Sequence, residues 1–213
     1  MSAFLQKNWF KLAITIILLS IIASFAYKLW VSNGNGTNDK HLDPVMEEPS
    51  FEFTRMDGQK VGKEDLKDTV HLVYFFFGQC PDVCPVTNDL MRKIQNQLKE
   101  KNMLGDKVKM LSITFDPERD TPEFLKEYAK RYQADPAGWW FLRDDHEKVK
   151  DMMKKLNMTI ESDGKGYFLH SNTIFLVDRK GMVRTNYTPG GEARNELDID
   201  AIVRDIKTLT KEK

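Results

Sequence analysis

The feature that most constrains the fold is the apolar run His71–Phe77, which leads directly into two cysteines and then an amphipathic segment. A strand that is apolar on both faces is typical of the centre of a sheet with parallel neighbours. After the cysteines, apolar residues recur at helical spacing, with Pro85 as the first residue of a helix that is predicted to end near Lys101. The pattern therefore predicts a strand followed by a helix, with Cys80 and Cys84 at their junction.

The remaining pattern extends this unit into an α/β domain. A hairpin is predicted around Asp57-Gly58, and a second one turns at Lys180-Gly181. Between them, strands are predicted at 108–115 and 138–143, and helices after Pro122 (capped by Asp120 or Thr121) and at 144–156, with a closing helix at 198–213. Strands that alternate with helices imply parallel strands in one sheet, and the hairpins add antiparallel ones. This order predicts a thioredoxin-like fold with an N-terminal β-hairpin.

An uncharged apolar stretch dominates the N-terminus. Residues 12–27 carry no charge, and Trp9–Val31 supplies the roughly 20 mostly apolar residues that a membrane-spanning helix needs. Lys7 and Lys11 precede the uncharged residues 12–27, whereas acidic residues follow the apolar stretch, so the positive-inside rule predicts residues 1–8 in the cytoplasm. The alternative is a cleaved signal peptide, with a small-residue cleavage site at 24–26.

The composition limits the number of domains and the class of partner. Residues 32–49 are rich in Gly, Asn and Pro and are predicted to form a flexible linker, which leaves one globular domain at 50–213. The 32 Lys and Arg residues balance 32 Asp and Glu residues, so no net charge attracts a polyanion. We therefore expect no binding to nucleic acid.

The two cysteines form a local site rather than a disulfide framework. A thiol at a helix N-terminus feels the positive end of the helix dipole, which favours the thiolate needed for exchange or metal binding. A structural disulfide, a redox couple and part of a metal site all remain open. A disulfide that closes so short a loop adds little stability, and three residues separate Cys80 and Cys84 where thioredoxin-type couples have two.

A metal site needs a further ligand, and the chain has four histidines. Three of them are interpreted as structural or surface residues: His41 in the linker, His71 at the start of the buried strand, and His146 at an acidic helix start. His170 directly precedes the late hairpin. In a thioredoxin-like sheet, that loop lies beside the loop that carries the cysteines. His170 is therefore the histidine expected near Cys80 and Cys84.

Three segments together resemble the Sco/SenC family, membrane-anchored copper proteins that help to assemble the dinuclear CuA centre of cytochrome c oxidase. They are YFFFGQCPDVCP, SITFDPERDTPE and FLHSNTIFLVDRKG, and they occur in the order and approximate spacing of that family. The similarity covers about 50–213. By position, it implies Cys80, Cys84 and His170 as copper ligands, and Asp116 as an acidic residue near the site.

The resemblance implies copper as the cofactor and a chaperone that delivers copper to, or prepares the thiols of, the CuA site. The implied partners are the CuA-bearing oxidase subunit, other copper chaperones and thiol reductases. Two thiolates and an imidazole suit Cu(I), although Zn(II) accepts the same donors. The resemblance implies a metallochaperone rather than an enzyme, with thiol–disulfide exchange as a possible activity, and it assigns no catalytic residue.

The alternative function is an extracytoplasmic thiol:disulfide oxidoreductase or redox sensor that uses Cys80 and Cys84 without metal. In either case, we expect a single-pass protein of the cell inner membrane with its domain in the periplasm. No Arg- and Ser-rich leader precedes the apolar stretch, which favours this location over the mitochondrial intermembrane space.

Overall fold

The structure is a computed structural model, which describes residues 3–34, 42–80, 83–158, 160–162, 168–189 and 198–212. For the described residues between 161 and 170, the description covers the backbone alone. The chain divides into two compact units, Met1–Lys40 and His41–Lys213.

The first unit is formed by one helix, α1 (Ala3–Gly34). Its segment Trp9–Tyr27 is 19 residues long, and within the described part of the chain it is the one stretch long and apolar enough to cross a membrane. The large apolar side chains of this segment are exposed, among them Trp9, Ile17 and Phe25. Because apolar side chains surround the helix, no polar face is left for water. A membrane anchor and a signal sequence share these properties.

The second unit is a mixed β-sheet with helices. Its strands are β1 (Met46–Glu47), β2 (Glu52–Arg55), β3 (Lys60–Gly62), β4 (Val70–Phe76), β5 (Val108–Thr114), β6 (Trp139–Arg143), β7 (Ile160–Ser162), β8 (Phe168–His170), β9 (Ile174–Val177) and β10 (Met182–Tyr187). Its helices are a 3₁₀ helix at Lys63–Leu66, α2 (Val83–Glu100), α3 (Pro122–Arg131), α4 (His146–Lys155) and α5 (Ile199–Leu209). Eight strands form one sheet in the order β1-β10-β9-β4-β5-β6-β2-β3, and β7 pairs with β8 separately.

The central strand β4 determines where the site lies. It runs parallel to β5 and antiparallel to β9, and β5 in turn runs parallel to β6. All seven residues of β4 are buried, which explains why its sequence is apolar on both faces. The carboxyl ends of β4, β5 and β6 therefore meet at one edge of the sheet. The predicted α/β architecture is confirmed, including both hairpins, β2–β3 and β9–β10.

Some element boundaries differ from the prediction. The second helix begins at Val83, so Pro85 is its third residue rather than its first. This is possible because the first-turn N–H groups of a helix have no intrahelical partner, so a proline there costs no hydrogen bond. Of the two predicted caps of α3, Thr121 is the actual one, since its side chain accepts a hydrogen bond from the Phe124 N–H. Asp198 caps α5 in the same way.

The segment predicted as a flexible linker, 32–49, is partly structured. The helix α1 extends into its beginning, residues 35–41 lie outside the described part, and the chain packs on the domain from Leu42 onward. The buried Leu42 carbonyl accepts a hydrogen bond from Arg184, and β1 pairs with β10. Glu48 and His71 form a buried contact of 3.0 Å between Oε1 and Nε2. The domain thus begins before residue 50, because these few residues have specific partners that composition does not reveal.

Candidate metal centre

The two cysteines lie at the carboxyl end of β4, as predicted from the sequence. Cys80 follows the strand in a loop, where its N–H donates to the Phe77 carbonyl at 3.2 Å. Cys84 is the second residue of α2. Both thiols are free and buried, with relative exposures of 7% for Cys80 and 0% for Cys84. The protein thus holds a reduced dithiol that is largely screened from water.

Burial controls the ionisation of Cys84. It raises the pKa of this thiol to about 12, opposed by a contact with the Tyr74 phenol and reinforced by the Cys80 thiol beside it. The sequence had indicated the opposite shift, because the dipole of α2 favours a thiolate at its N-terminus. Desolvation outweighs that dipole here, since an ionised sulfur inside the protein loses its hydration. Free Cys84 is therefore a poor nucleophile at neutral pH.

A buried phenol stands next to this thiol. Tyr74 lies on β4 with 0% relative exposure, and its hydroxyl has no hydrogen-bond partner of standard geometry among the described residues. Burial raises the pKa of Tyr74 well above its usual value, and the adjacent Cys84 raises it further. The group is thus a neutral phenol that carries a proton to donate. Tyr74 is not recognisable as a site residue from the sequence, because nothing in an apolar strand indicates which face meets the cysteines.

His170 is the last residue of β8, opposite Ile160 of β7, rather than part of the predicted loop. Its side chain lies outside the described part of the structure. Two residues later, Asn172 exchanges hydrogen bonds of 2.9 and 3.1 Å with Thr87, which lies three residues after Cys84 on α2. Asn172 also donates to the Pro189 carbonyl at 3.1 Å. The segment that follows His170 is therefore held against the helix that carries Cys84.

Asp116 follows β5, the parallel neighbour of β4, and so lies at the same edge of the sheet as the cysteines. It is buried and forms an ion pair with Arg119, and its N–H donates to the Thr114 hydroxyl at 3.0 Å. These contacts fit a residue that shapes the turn after β5. They include no contact with either cysteine.

Asp120 contacts the cysteine loop instead. It is fully buried, and its Oδ2 accepts hydrogen bonds from the Gly78 N–H at 2.9 Å and from the Thr114 hydroxyl. Its Oδ1 has no partner among the described residues, and burial raises the pKa of this carboxyl. A Cβ on Gly78 would lie 2.1 Å from the Phe124 ring and 2.6 Å from Asp120 Oδ1. The conformation two residues before Cys80 is thus determined by close packing, which only a glycine permits.

The described side chains do not complete a metal site. Within the described part of the chain, no group of three His, Cys, Asp or Glu side chains is suited to a metal ion. The His170 imidazole lies outside that part and is not one of these side chains. His146 and His71 have other contacts: His146 Nδ1 lies 2.6 Å from the Phe115 carbonyl, and His71 pairs with Glu48. His41 lies outside the described residues.

Comparison with known proteins establishes the family. The SCO1/SenC family model matches residues 39–211. The chain belongs to the Sco/SenC family. Its relatives include the SCO1 protein homolog of Bacillus subtilis, which is 30% identical over 172 residues, 79% of this chain and 86% of the relative.

Solved structures of the family agree with this assignment. BsSco, a member of the Sco family of cytochrome c oxidase assembly proteins in which a disulfide switch was identified, superposes with a TM-score of 0.69 at 30% identity. This match covers 80% of the present chain and 98% of BsSco. Yeast Sco1 with copper bound matches with a TM-score of 0.62 and 26% identity, over 79% and 96% of the two chains. The predicted thioredoxin-like fold and Sco/SenC membership are both confirmed.

Proposed function

We propose that this protein binds copper through Cys80, Cys84 and His170 and takes part in the assembly of cytochrome c oxidase. The observation that carries the proposal is the pair of adjacent buried thiols at the end of β4, beside which Asn172 holds the segment after His170. The names of the relatives add support: yeast Sco1 was solved with copper bound, and BsSco belongs to a family of oxidase assembly proteins.

The chemistry of the donor set suits Cu(I). Two thiolates and one imidazole form a soft, low-coordinate set, which thiophilic ions such as Cu(I) prefer, although Zn(II) accepts the same donors. Metal binding displaces the thiol protons, so even Cys84, whose pKa burial raises to about 12, can become a ligand. The low exposure of both thiols keeps water from the bound ion. Copper in this role is cargo rather than a resident catalyst.

The finer proposal concerns target and location. We propose delivery of copper to the CuA-bearing oxidase subunit, or reduction of its thiols, with other copper chaperones or thiol reductases as further partners. The segment Trp9–Tyr27 would anchor the protein in the inner membrane, with residues 1–8 in the cytoplasm and the domain in the periplasm. An anchor would keep the domain close to a membrane-embedded oxidase.

A thiol-redox function is the second candidate, because the Cys80 and Cys84 thiols interact and because a disulfide switch was identified in BsSco. Oxidation joins the two sulfurs with loss of two electrons and two protons, and the resulting disulfide no longer offers two thiolates to a metal. Copper loading would then depend on the redox state of the pair. The high pKa of Cys84 argues against rapid exchange through this thiol, since the thiolate is the attacking species.

One substitution separates the two functions. In the full-length protein, reduced and solubilised in detergent, His170→Ala should lower Cu(I) affinity more than about 100-fold, because changes beyond the direct ligands already cost 10- to 100-fold. Oxidation of Cys80 and Cys84 to a disulfide should continue at its normal rate. His146→Ala is the matched control, and we expect it to retain wild-type copper affinity.

The same variants decide the matter in cells. At limiting copper, His170→Ala should prevent oxidase assembly, whereas His146→Ala should support it. Normal assembly with His170→Ala would contradict copper delivery and would favour the thiol-redox function. Unchanged copper affinity of the purified variant would remove His170 from the ligand set.

A further inference from the structure

Tyr74 carries a buried hydroxyl whose contact with the Cys84 thiol falls short of a hydrogen bond of standard geometry. Its side chain is completely buried on β4, and its hydroxyl has no partner of standard geometry among the described residues. Phenols buried in proteins usually have a partner, because a buried donor that has lost its hydration is costly. The exception stands next to the candidate copper site.

The polar groups beside the phenol are on α2. The Cys84 thiol and the Thr87 hydroxyl are hydrogen-bonding groups that neighbour the Tyr74 hydroxyl. The Thr87 hydroxyl already exchanges hydrogen bonds with Asn172, at 2.9 and 3.1 Å. Cys84 presents sulfur, and a thiol sulfur is only a weak acceptor. The phenol therefore faces a group that accepts weakly while it holds its proton.

The acceptor strength of Cys84 changes when it binds metal. Its S–H bond breaks, the proton leaves to solvent, and the sulfur gains a metal bond and negative charge. Hydrogen bonds to ionised acceptors are roughly twice as strong as neutral ones. A phenol has an ordinary pKa of about 10, so Tyr74 keeps its proton at neutral pH and remains a donor.

We propose that Tyr74 is a positioning residue for bound metal, whose O–H donates to the sulfur of Cys84 once that sulfur is a metal ligand. The inference rests on the proposed function in assigning Cys84 to a copper site. The Tyr74 hydroxyl, which lacks a strong acceptor in the metal-free protein, is then already in place to donate to the Cys84 sulfur in the metal-bound protein. Tyr74 then favours the loaded state over both the thiol and the disulfide, whose sulfurs accept hydrogen bonds weakly.

This role has a signature that a structural role lacks. Tyr74→Phe removes a hydroxyl that makes no hydrogen bond of standard geometry with the described residues, so the metal-free fold should be as stable as before or more stable. Copper binding, by contrast, should weaken, because the bound sulfur loses its donor. If Tyr74 only supported the fold, its replacement by phenylalanine would lower the stability of the metal-free and the copper-bound protein alike.

Tyr128 is the matched control. It is buried in the same aromatic cluster, with its ring centroid 5.3 Å from that of Phe76, which in turn lies 6.3 Å from that of Tyr74. Its hydroxyl already accepts a hydrogen bond from Asn88 at 3.1 Å. Tyr128→Phe should therefore destabilise the metal-free fold and leave copper affinity unchanged, which is the opposite pattern.

The experiment uses the full-length protein, reduced and solubilised in detergent. Competition with a chromophoric Cu(I) chelator gives the copper affinity, and chemical denaturation without metal gives the unfolding midpoint. We expect Tyr74→Phe to lower copper affinity about 10-fold with an unchanged or higher midpoint. In the Cu(II)-loaded protein, the sulfur-to-copper charge-transfer band should also shift, because hydrogen bonding at the sulfur tunes such sites.

The outcomes distinguish a failure of the proposed copper-binding function from a failure of the proposed role of Tyr74. Wild-type protein that does not bind copper would overturn the proposed function and, with it, the role of Tyr74. Wild-type protein that binds copper, together with a Tyr74→Phe variant of equal affinity and an unshifted band, would overturn only the role of Tyr74. A variant that loses affinity and metal-free stability together would identify Tyr74 as a structural residue.

Discussion

Asn172 and Thr87 join the segment after β8 to α2 through two hydrogen bonds, although they lie 85 residues apart in the sequence. His170 precedes Asn172 by two residues, and Cys84 precedes Thr87 by three. This side-chain pair therefore links the two parts of the candidate copper site. The asparagine side chain supplies both a donor and an acceptor to this link with α2.

The first prediction concerns this link. Asn172→Ala removes both hydrogen bonds to Thr87 and the one to the Pro189 carbonyl. We expect the free energy of unfolding to fall by about 2 kcal/mol. Each hydrogen bond contributes about 1 kcal/mol, and water compensates for part of the loss because the site is partly exposed. Copper affinity should fall about 10-fold, because the segment after His170 is no longer held. Denaturation and chelator competition measure the two effects.

Thr208→Ala is the control for this prediction. Its hydroxyl donates to the Arg204 carbonyl on the exposed surface of α5, at 3.1 Å. We expect a change in stability below about 0.5 kcal/mol and no change in copper affinity. Unaltered copper affinity in Asn172→Ala would show that His170 reaches its position without this link.

The second prediction concerns Gly78, two residues before Cys80. In Gly78→Ala, the new Cβ would lie 2.1 Å from the Phe124 ring and 2.6 Å from Asp120 Oδ1, so packing must shift. We expect a loss of about 3 kcal/mol, which is typical of overpacking in a tight site. Unfolding of the full-length chain in detergent measures it.

Gly58→Ala separates this clash from the general cost of replacing a glycine. Gly58 has φ +90° in the β2–β3 turn, and no atom lies within 4 Å of an added Cβ. The left-handed conformation alone should cost about 1 kcal/mol. Equal losses in the two variants would mean that crowding at Gly78 is relieved without cost.

The third prediction concerns the pH dependence of stability through Asp120. Burial raises the pKa of this carboxyl, while its hydrogen bonds with Thr114 and Gly78 lower it less. The folded state therefore holds the proton to higher pH than the unfolded state, whose Asp pKa is about 3.9. The protonated Asp120 carboxyl contributes its full stabilisation below the unfolded-state pKa, and this contribution is lost as pH rises through the folded-state pKa. Asp120→Asn, which is always neutral, should gain stability relative to wild type over this range.

Asp135 provides a control of opposite sign. The hydrogen bond from Lys99, at 2.7 Å, lowers the pKa of Asp135. The stability from its ionised form is present above the unfolded-state pKa and is lost as pH falls through the folded-state value. Asp135→Asn should therefore be destabilising at pH 7 and less so at pH 3. Denaturation curves between pH 3 and pH 7 test both carboxyls, and parallel curves for wild type and Asp120→Asn would contradict the assignment for Asp120.

The fourth prediction concerns the N-terminus. If Trp9–Tyr27 is an anchor, the mature protein should remain in the membrane fraction after an alkaline wash and should retain its first residues. N-terminal sequencing and fractionation measure this. A mature N-terminus at Tyr27, with the protein released in soluble form, would establish a cleaved signal peptide instead.

Local patterns were sufficient to predict the framework of the domain. The run that forms β4 is apolar on both faces, so it was identified as a central strand, and its junction with an amphipathic helix located Cys80 and Cys84. The turns at Gly58 and Gly181 were predicted in the same way, and the cap of α3 was narrowed to two neighbouring residues, of which the structure uses Thr121. These features depend on backbone preferences and periodicity within a few residues, which the order of amino acids reports directly.

Other properties of the site required the fold, because they arise between residues that are distant in sequence. The resemblance to the Sco/SenC family implied Asp116 as an acidic residue near the site, and packing adds Asp120, which accepts a hydrogen bond from Gly78 of the cysteine loop. The dipole of α2 indicated an acidic thiol at Cys84, whereas burial raises its pKa. The unmet phenol of Tyr74 is visible only when β4 is packed against α2. Desolvation depends on which groups surround an atom in three dimensions, and a local pattern contains no measure of it.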